Sequence, residues 1–269
     1  IGWIHLALPL VVGGRRVGLW LLGRRDPDDF YSQAEIPILQ TLANQTAIAI
    51  LNLAQGERLS LLYREDIDRQ EAERTQLALE LHDGVLSQLA ILNLNIDERS
   101  PAFDAAYEQA TAHIRDIISG LRPTMLSYGL RTALDELADE TPEQVGDEQE
   151  IEVRVPQNDV RYSPQVELHL YRIIQEACKN ALLHAQADTI RIYGELNPDC
   201  YDLTVADDGV GIPGGDQLNL NELLASKHFG LAGMIERAHL IGAQIEIDSG
   251  PSQGTRIRVW GSFMGVEGQ

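Results

Sequence analysis

The sequence predicts an α+β fold in several domains: a helical hairpin that pairs into a dimeric four-helix bundle, then an α/β sandwich, with a short α/β segment ahead of both. Three observations predict it. Leu77, Leu81, Val85, Leu89 and Leu92 recur at helical spacing in a polar stretch without Pro. Ala106, Ala110, Ile114, Ile117 and Leu121 repeat that stripe after a break. From about residue 151, helical and strand-like runs interleave.

The elements follow in order. Residues 3–24 read as two strands, WIHLALPLVV and RRVGLWLLGR, joined by a hairpin at Gly13–Gly14. Trp3 and Trp20 belong to these strands and read as core. A loop at 26–29 leads to a helix over 32–53, with Ser32 and Glu35 forming a capping box. That is too little chain for an independent domain. Residues 57–99 read as one long helix. Ser100-Pro101 starts the next, and Leu121-Arg122-Pro123 ends it. One hairpin has no full core, so two are expected to pair. Residues 133–152 hold nine acids and no base, which reads as a solvated helix end and linker. Then come a strand at 151–155, a helix opened by Ser163-Pro164, strands TIRIYGEL and CYDLTVADD, a Gly-rich turn, a helix ending at Gly242, and two last strands. The implied boundaries are 1–55, 56–125, 126–150 and 151–265.

Composition limits the function. With 21 Lys+Arg against 41 Asp+Glu, the formal charge is −20 over 269 residues. That argues against non-specific binding to nucleic acid or anionic membranes, though a backbone-lined pocket still binds phosphate in an acidic protein. Apolar runs fall short of the ~18 residues a spanning helix needs. Two cysteines, Cys178 and Cys200, make no disulfide framework, so a cytoplasmic setting is the expectation. Residue 1 is Ile and the chain opens directly on a strand, which reads as a fragment with an upstream part missing.

Four short features carry chemistry. ERTQLALELHD (73–83) sets His82 beside Asp83 on a long helix. QEACKNALLHA (175–185) sets Glu176 and Asn180 one turn apart on one face. DDGVG (207–211) places Asp207 at a strand end before Gly209 and Gly211. FGLAGM (229–234) opens a helix with Gly230 and Gly233, and Gly254-Thr255 precedes the last strand. Each alone is weak: HD pairs, Glu-xxx-Asn faces and DxGxG turns are common. Their order and the elements they occupy carry the weight. Imidazole is largely neutral near pH 7 and so is a suitable nucleophile; a carboxylate on its second nitrogen fixes the tautomer and accepts the proton, a role that suits Asp83. Asn180 and Glu176 offer an amide oxygen and a carboxylate on one helix face.

In this order the motifs resemble those of sensor histidine kinases of the NarX/DesK type. The dimerisation-domain motif ERxRxARELHD reads here ERTQLALELHD, and the ATPase motif GLxGMxERA reads GLAGMIERA. The resemblance spans residues 65–262 and implies a HisKA_3-like dimerisation domain followed by a Bergerat-type (HATPase_c) ATP-binding domain. It implies autophosphorylation of His82 with Asp83 as base, and ATP and Mg²⁺ as cofactors. It also implies Asp207 and Thr255 at the adenine, Asn180 with Glu176 at the metal, and a lid over 212–229 between glycine-bearing ends. The partners implied are a second copy of the chain and a response regulator with a receiver domain, of the LuxR/NarL type. The first 55 residues resemble the C-terminal end of a GAF domain; they hold no cysteine for a covalently attached bilin.

Three positions depart from the pattern. Ser87 stands where the family has the Gln tied to regulator dephosphorylation, with Gln88 next to it. Leu183 replaces the phosphate-contacting Lys of NxxKH, leaving Lys179 and Lys227 as candidates to compensate. Gln76 replaces a basic residue. His113 and His169 read as structural, while His184 and His228 flank the nucleotide region. Two other readings stay open: an ATP-binding pseudokinase scaffold, and a related ATPase such as a chaperone or topoisomerase fragment, which would need no HD helix upstream.

Overall fold

The structure, a computed structural model, describes residues 3–24, 31–96, 100–145, 149–212 and 229–263. The chain divides into two compact units, Ile1–Leu62 and Tyr63–Gln269.

In the first unit, β1 (Leu6–Val12) and β2 (Arg15–Leu22) pair antiparallel with an irregularity after Leu10. Strand alternation turns Leu8 and Leu10 inward, where they bury against Ala43 and Ala47 of α1 (Glu35–Glu80). Trp20 packs at the edge of this core. Trp3 does not; it is largely exposed, because it precedes the paired part of β1. The capping box forms as expected: Glu35 N–H donates to Ser32 Oγ, and Ser32 N–H to Glu35 Oε2 at 2.9 Å.

The expected break near residue 55 is absent. Helix runs from Glu35 to Leu94, interrupted only by a π-helical turn at Leu81–Leu86 before α2 (Ser87–Leu94). By length and composition alone, one helix among the described residues is long and apolar enough to cross a membrane, although its uninterrupted apolar runs are short. Scattered Gln, Thr and Asn break the runs without bringing the average down.

In the second unit, α3 (Pro101–Leu121) packs back on the π turn and α2. Ser100 caps it, accepting from Phe103 N–H, with Pro101 in the first turn. The predicted stripe stays uncovered within this chain: Leu77, Val85, Leu92 and Ile117 are all exposed.

A 3₁₀ turn (Thr124–Tyr128) leads into α4 (Leu130–Val145). The acid count of this stretch hid a helical period. Leu130, Ala133, Leu134, Leu137 and Ala138 are buried in the main core, so α4 is a packing element and not a solvated linker. A mixed sheet follows in the order β3-β4-β5-β7-β6, from β3 (Glu150–Arg154), β4 (Thr189–Asn197), β5 (Cys200–Asp207), β6 (Gln244–Ser249) and β7 (Thr255–Ser262). Only β3 and β4 run parallel. Helices α5 (Pro164–Asn180) and α6 (Phe229–Leu240) complete the core with α4. The α5 stripe of Val166, Leu170, Ile173, Ile174 and Ala177 is buried. At roughly 1.5–3 kcal/mol per large apolar side chain, this stripe fixes the rotation of α5.

Candidate functional site

With its stripe inward, α5 turns Glu176 and Asn180 to one side, where both line a cavity of about 540 Å³. A π-helical turn, Ala181–Ala185, ends the helix, and Gln186 follows in the left-handed conformation. The turn leaves the Ala185 carbonyl free of the helix, and it accepts Val210 N–H at 2.8 Å. This bond ties the DDGVG loop to α5.

β5 delivers Asp207 to the cavity half-buried. Its Oδ1 accepts Gly209 N–H at 2.9 Å and Thr255 N–H at 3.2 Å, which leaves Oδ2 without a donor among the described residues. Burial raises the Asp207 pKa and Asp208 adds to this, against the two backbone bonds. Asp208 does different work. Its Oδ1 accepts the backbone N–H groups of Asp188 and Thr189, which hold its pKa down and pin the start of β4.

Opposite, Thr255 begins β7 and lines the cavity. Sequence reasoning missed Ser249, which supports it. The buried Ser249 hydroxyl donates to the Gly254 carbonyl at 3.1 Å, accepts Ile212 N–H at 2.7 Å, and lies 3.0 Å from Thr255 Oγ1. The only signal was a small hydroxyl residue at the end of an otherwise alternating strand.

The predicted glycines separate. Gly230 lines the cavity, and a Cβ there would collide with Glu176 Oε1 and crowd Asn180 Nδ2. Gly211 also lines it, at φ +70°, where a side chain would strike the Gly250 carbonyl. Gly209 acts from beneath, through its bond to Asp207 and close packing on Ala185. Gly233 does not line this cavity, and a Cβ there would meet nothing within 4 Å. His184 lines the cavity, Lys179 does not, and Leu183 is exposed. Lys227, His228 and nearly all of the expected lid lie outside the described residues.

The donor set suits a hard cation. A carboxylate and an amide oxygen sit one turn apart beside a cradle that any Cβ at Gly230 would fill. Among the described residues no cluster of three acidic, His or Cys ligands exists.

His82 and Asp83 lie on the π-helical turn, with side chains 67% and 76% exposed. His82 Nδ1 is 2.9 Å from Asp83 Oδ1. A proton donated from Nδ1 to the carboxylate leaves the Nε2 lone pair free. Ser87 Oγ–H, where the family Gln was expected, turns back to the His82 carbonyl at 3.4 Å. His82 is not part of the cavity that holds Asp207. His113 is exposed, while His169 is buried, its Nδ1 3.4 Å from Arg237.

Comparison with known proteins places this geometry. Residues 165–262 match the family of histidine kinase-, DNA gyrase B- and HSP90-like ATPases. Over 269 aligned residues the chain is 30% identical to a sensor-like histidine kinase of Chloroflexus aurantiacus, covering 94% of this chain and 44% of that protein. It is 30% identical to a NarQ homologue of Haemophilus influenzae (82% and 40%). It is 26% identical to the nitrate/nitrite sensor protein NarX of Escherichia coli (82% and 37%). The chain thus spans less than half the length of each of these relatives.

Proposed function

This chain belongs to the sensor histidine kinases of the NarX/NarQ type, and we propose that it phosphorylates itself on His82 with ATP and passes the phosphoryl group to an Asp of a response regulator. The observation that carries this reading is the exposed His82–Asp83 pair, joined at 2.9 Å through Nδ1. Nε2 attacks the γ-phosphorus in line; the P–N bond forms as the bond to the β-phosphate oxygen breaks and ADP leaves. Asp83 takes the Nδ1 proton as the ring gains charge, and returns it when the P–N bond breaks in favour of a receiver carboxylate.

On the nucleotide side, the free Asp207 Oδ2 accepts the adenine 6-amino group, with Thr255 beside it. Asn180 and Glu176 would hold Mg²⁺, directly and through water, and the ion would neutralise charge on the phosphate oxygens. Gly209 and Gly211 shape the loop beneath the base, and Gly230 and Gly233 begin the helix nearest the phosphates. The working chain is a homodimer: the apolar stripe of Leu77, Val85 and Leu92, open in one chain, supports a partner hairpin against it. The similarity to NarX and NarQ supports a regulator of the NarL type with a LuxR-like DNA-binding domain. We assign residues 1–55 to the end of a GAF domain, 56–125 to the dimerisation hairpin and 151–265 to the ATP-binding domain, on the cytoplasmic side.

The test is incubation with γ-labelled ATP and Mg²⁺, wild type against His82→Gln. Acid-labile, alkali-stable label that disappears in the variant is the expected result. Label that persists in the variant removes His82 from the reaction, and no label in either protein supports a non-transferring scaffold.

A further inference from the structure

The cavity below Asp207 is short of positive charge. Among the described residues its lining carries two carboxylates, Glu176 and Asp207, and no Lys or Arg; His184 is its one basic side chain. Asp207 and Thr255 form one group in that lining, joined through the Thr255 N–H. Glu176, Asn180 and Gly230 form another, close enough that a Cβ at Gly230 would strike Glu176 Oε1. A polyphosphate held by these groups alone would leave most of its charge unmatched, and unpaired charge away from water is costly.

The matching charge lies next door. A second cavity of about 660 Å³ shares Glu176 and Gly230 with the first. Arg74 of α1, Arg172 and Lys179 of α5, and Arg237 of α6 line it, against the carboxylates of Asp66 and Glu176. The two spaces therefore meet at the Glu176 group and not at Asp207. A row of phosphates running from the Asp207 side past Glu176 enters the second cavity with its terminal group.

The four cations are not equally available. Glu71 of α1 engages two of them: its Oε1 lies 2.8 Å from Arg237 Nη2 and its Oε2 3.2 Å from Arg172 Nη2. Arg172 also donates to the carbonyls of Gly120 and Leu121. Arg74 is held more loosely, with Nη1 3.4 Å from the same carboxylate and a side chain 39% exposed. Lys179 is exposed and makes no ion pair among the described residues. It follows Glu176 by three residues, one helical turn, and adjoins Asn180. Its ammonium group brings three donors on a flexible stem.

We propose that Lys179 is a phosphate-binding residue of the nucleotide site: in the adjoining cavity its ammonium group pairs with the terminal phosphate, with Arg74 as the second donor, and the pair gives the site its preference for ATP over ADP. A contact between an ammonium group and a phosphate oxygen is a charge-assisted hydrogen bond, stronger than a neutral one. The proposal rests on ATP occupying the Asp207 cavity and is independent of which residue receives the phosphoryl group.

The test measures affinity and not transfer. Calorimetry on the full chain with Mg²⁺ compares the β,γ-imido analogue of ATP, ADP and adenosine, for wild type, Lys179→Gln and Lys179→Arg. Lys179 is exposed, so both variants are expected to fold. Lys179→Gln should weaken the ATP analogue about tenfold, ADP less, and adenosine by less than about twofold. Lys179→Arg, with the charge kept, should stay within about threefold of wild type for all three ligands. Arg74→Gln should show the same ordering with smaller losses. An unchanged affinity for the ATP analogue in Lys179→Gln, or an equal loss for all three ligands, overturns the proposal. Wild type that binds none of the three refutes the nucleotide reading and the lysine's role with it. Normal binding together with label that persists in His82→Gln refutes only the phosphoacceptor assignment, and the affinities still decide the role of Lys179.

Discussion

Among the described residues, the helices of the second unit contain two π-helical turns, and they are used in opposite ways. At Leu81–Leu86 no residue is buried, and the turn presents His82 and Asp83 to solvent. At Ala181–Ala185, Ala181, Leu182 and Ala185 are buried, and the displaced Ala185 carbonyl receives Val210 N–H of the DDGVG loop. π turns recur at functional sites. Here one builds an exposed imidazole–carboxylate pair from neighbouring residues, and the other closes a cavity by joining elements distant in sequence. A local site fails by losing rate; a site assembled from four elements fails by losing affinity or fold.

The sharpest break in that comparison is Asp83→Asn. Removing the base should lower the initial rate of labelling by roughly 10²–10⁴, measured with γ-labelled ATP, while ATP affinity by calorimetry stays the same. Lost affinity in this variant would mean that the two sites are not separable. Next is Asp207→Asn, which offers an N–H₂ where the adenine amino group needs an acceptor. ATP affinity should drop about 10–100-fold, from one unpaired buried polar contact of ~1.5–3 kcal/mol.

The same variant carries a pH test. The folded pKa of Asp207 is raised, so its favourable contribution to stability is present at low pH and is lost as pH rises through the folded value. Asp207→Asn should therefore gain stability relative to wild type on going from acid to neutral pH in urea titrations, and a difference flat with pH would contradict the burial. The smallest effect belongs to Ser249→Ala. Leaving Ile212 N–H and Thr255 Oγ1 without this partner should cost about 1–2 kcal/mol of stability and shift ATP affinity only modestly, by thermal melting and calorimetry.

Much of the candidate site was legible because it is local. The His82–Asp83 pair and the Glu176/Asn180 face are neighbours on helices, where spacing alone sets proximity. The caps at Ser32, Ser100 and Ser163 were legible for the same reason. The reading of 133–152 failed because charge was counted without its period, and α4 carries both an acidic face and a core face. Ser249 escaped because its partners, Ile212 and Gly254, come from two turns that meet only in the fold.

By itself the sequence determined which candidate side chains stand next to one another, His82 with Asp83 and Glu176 with Asn180, since helical and strand periods dictate what neighbours can share. Tertiary structure alone decided that the imidazole stands exposed, that an open cavity lies beneath Asp207, and that Glu71 ties the two nucleotide-binding helices to α1. Those outcomes depend on burial and on long-range hydrogen bonds, which no local period encodes.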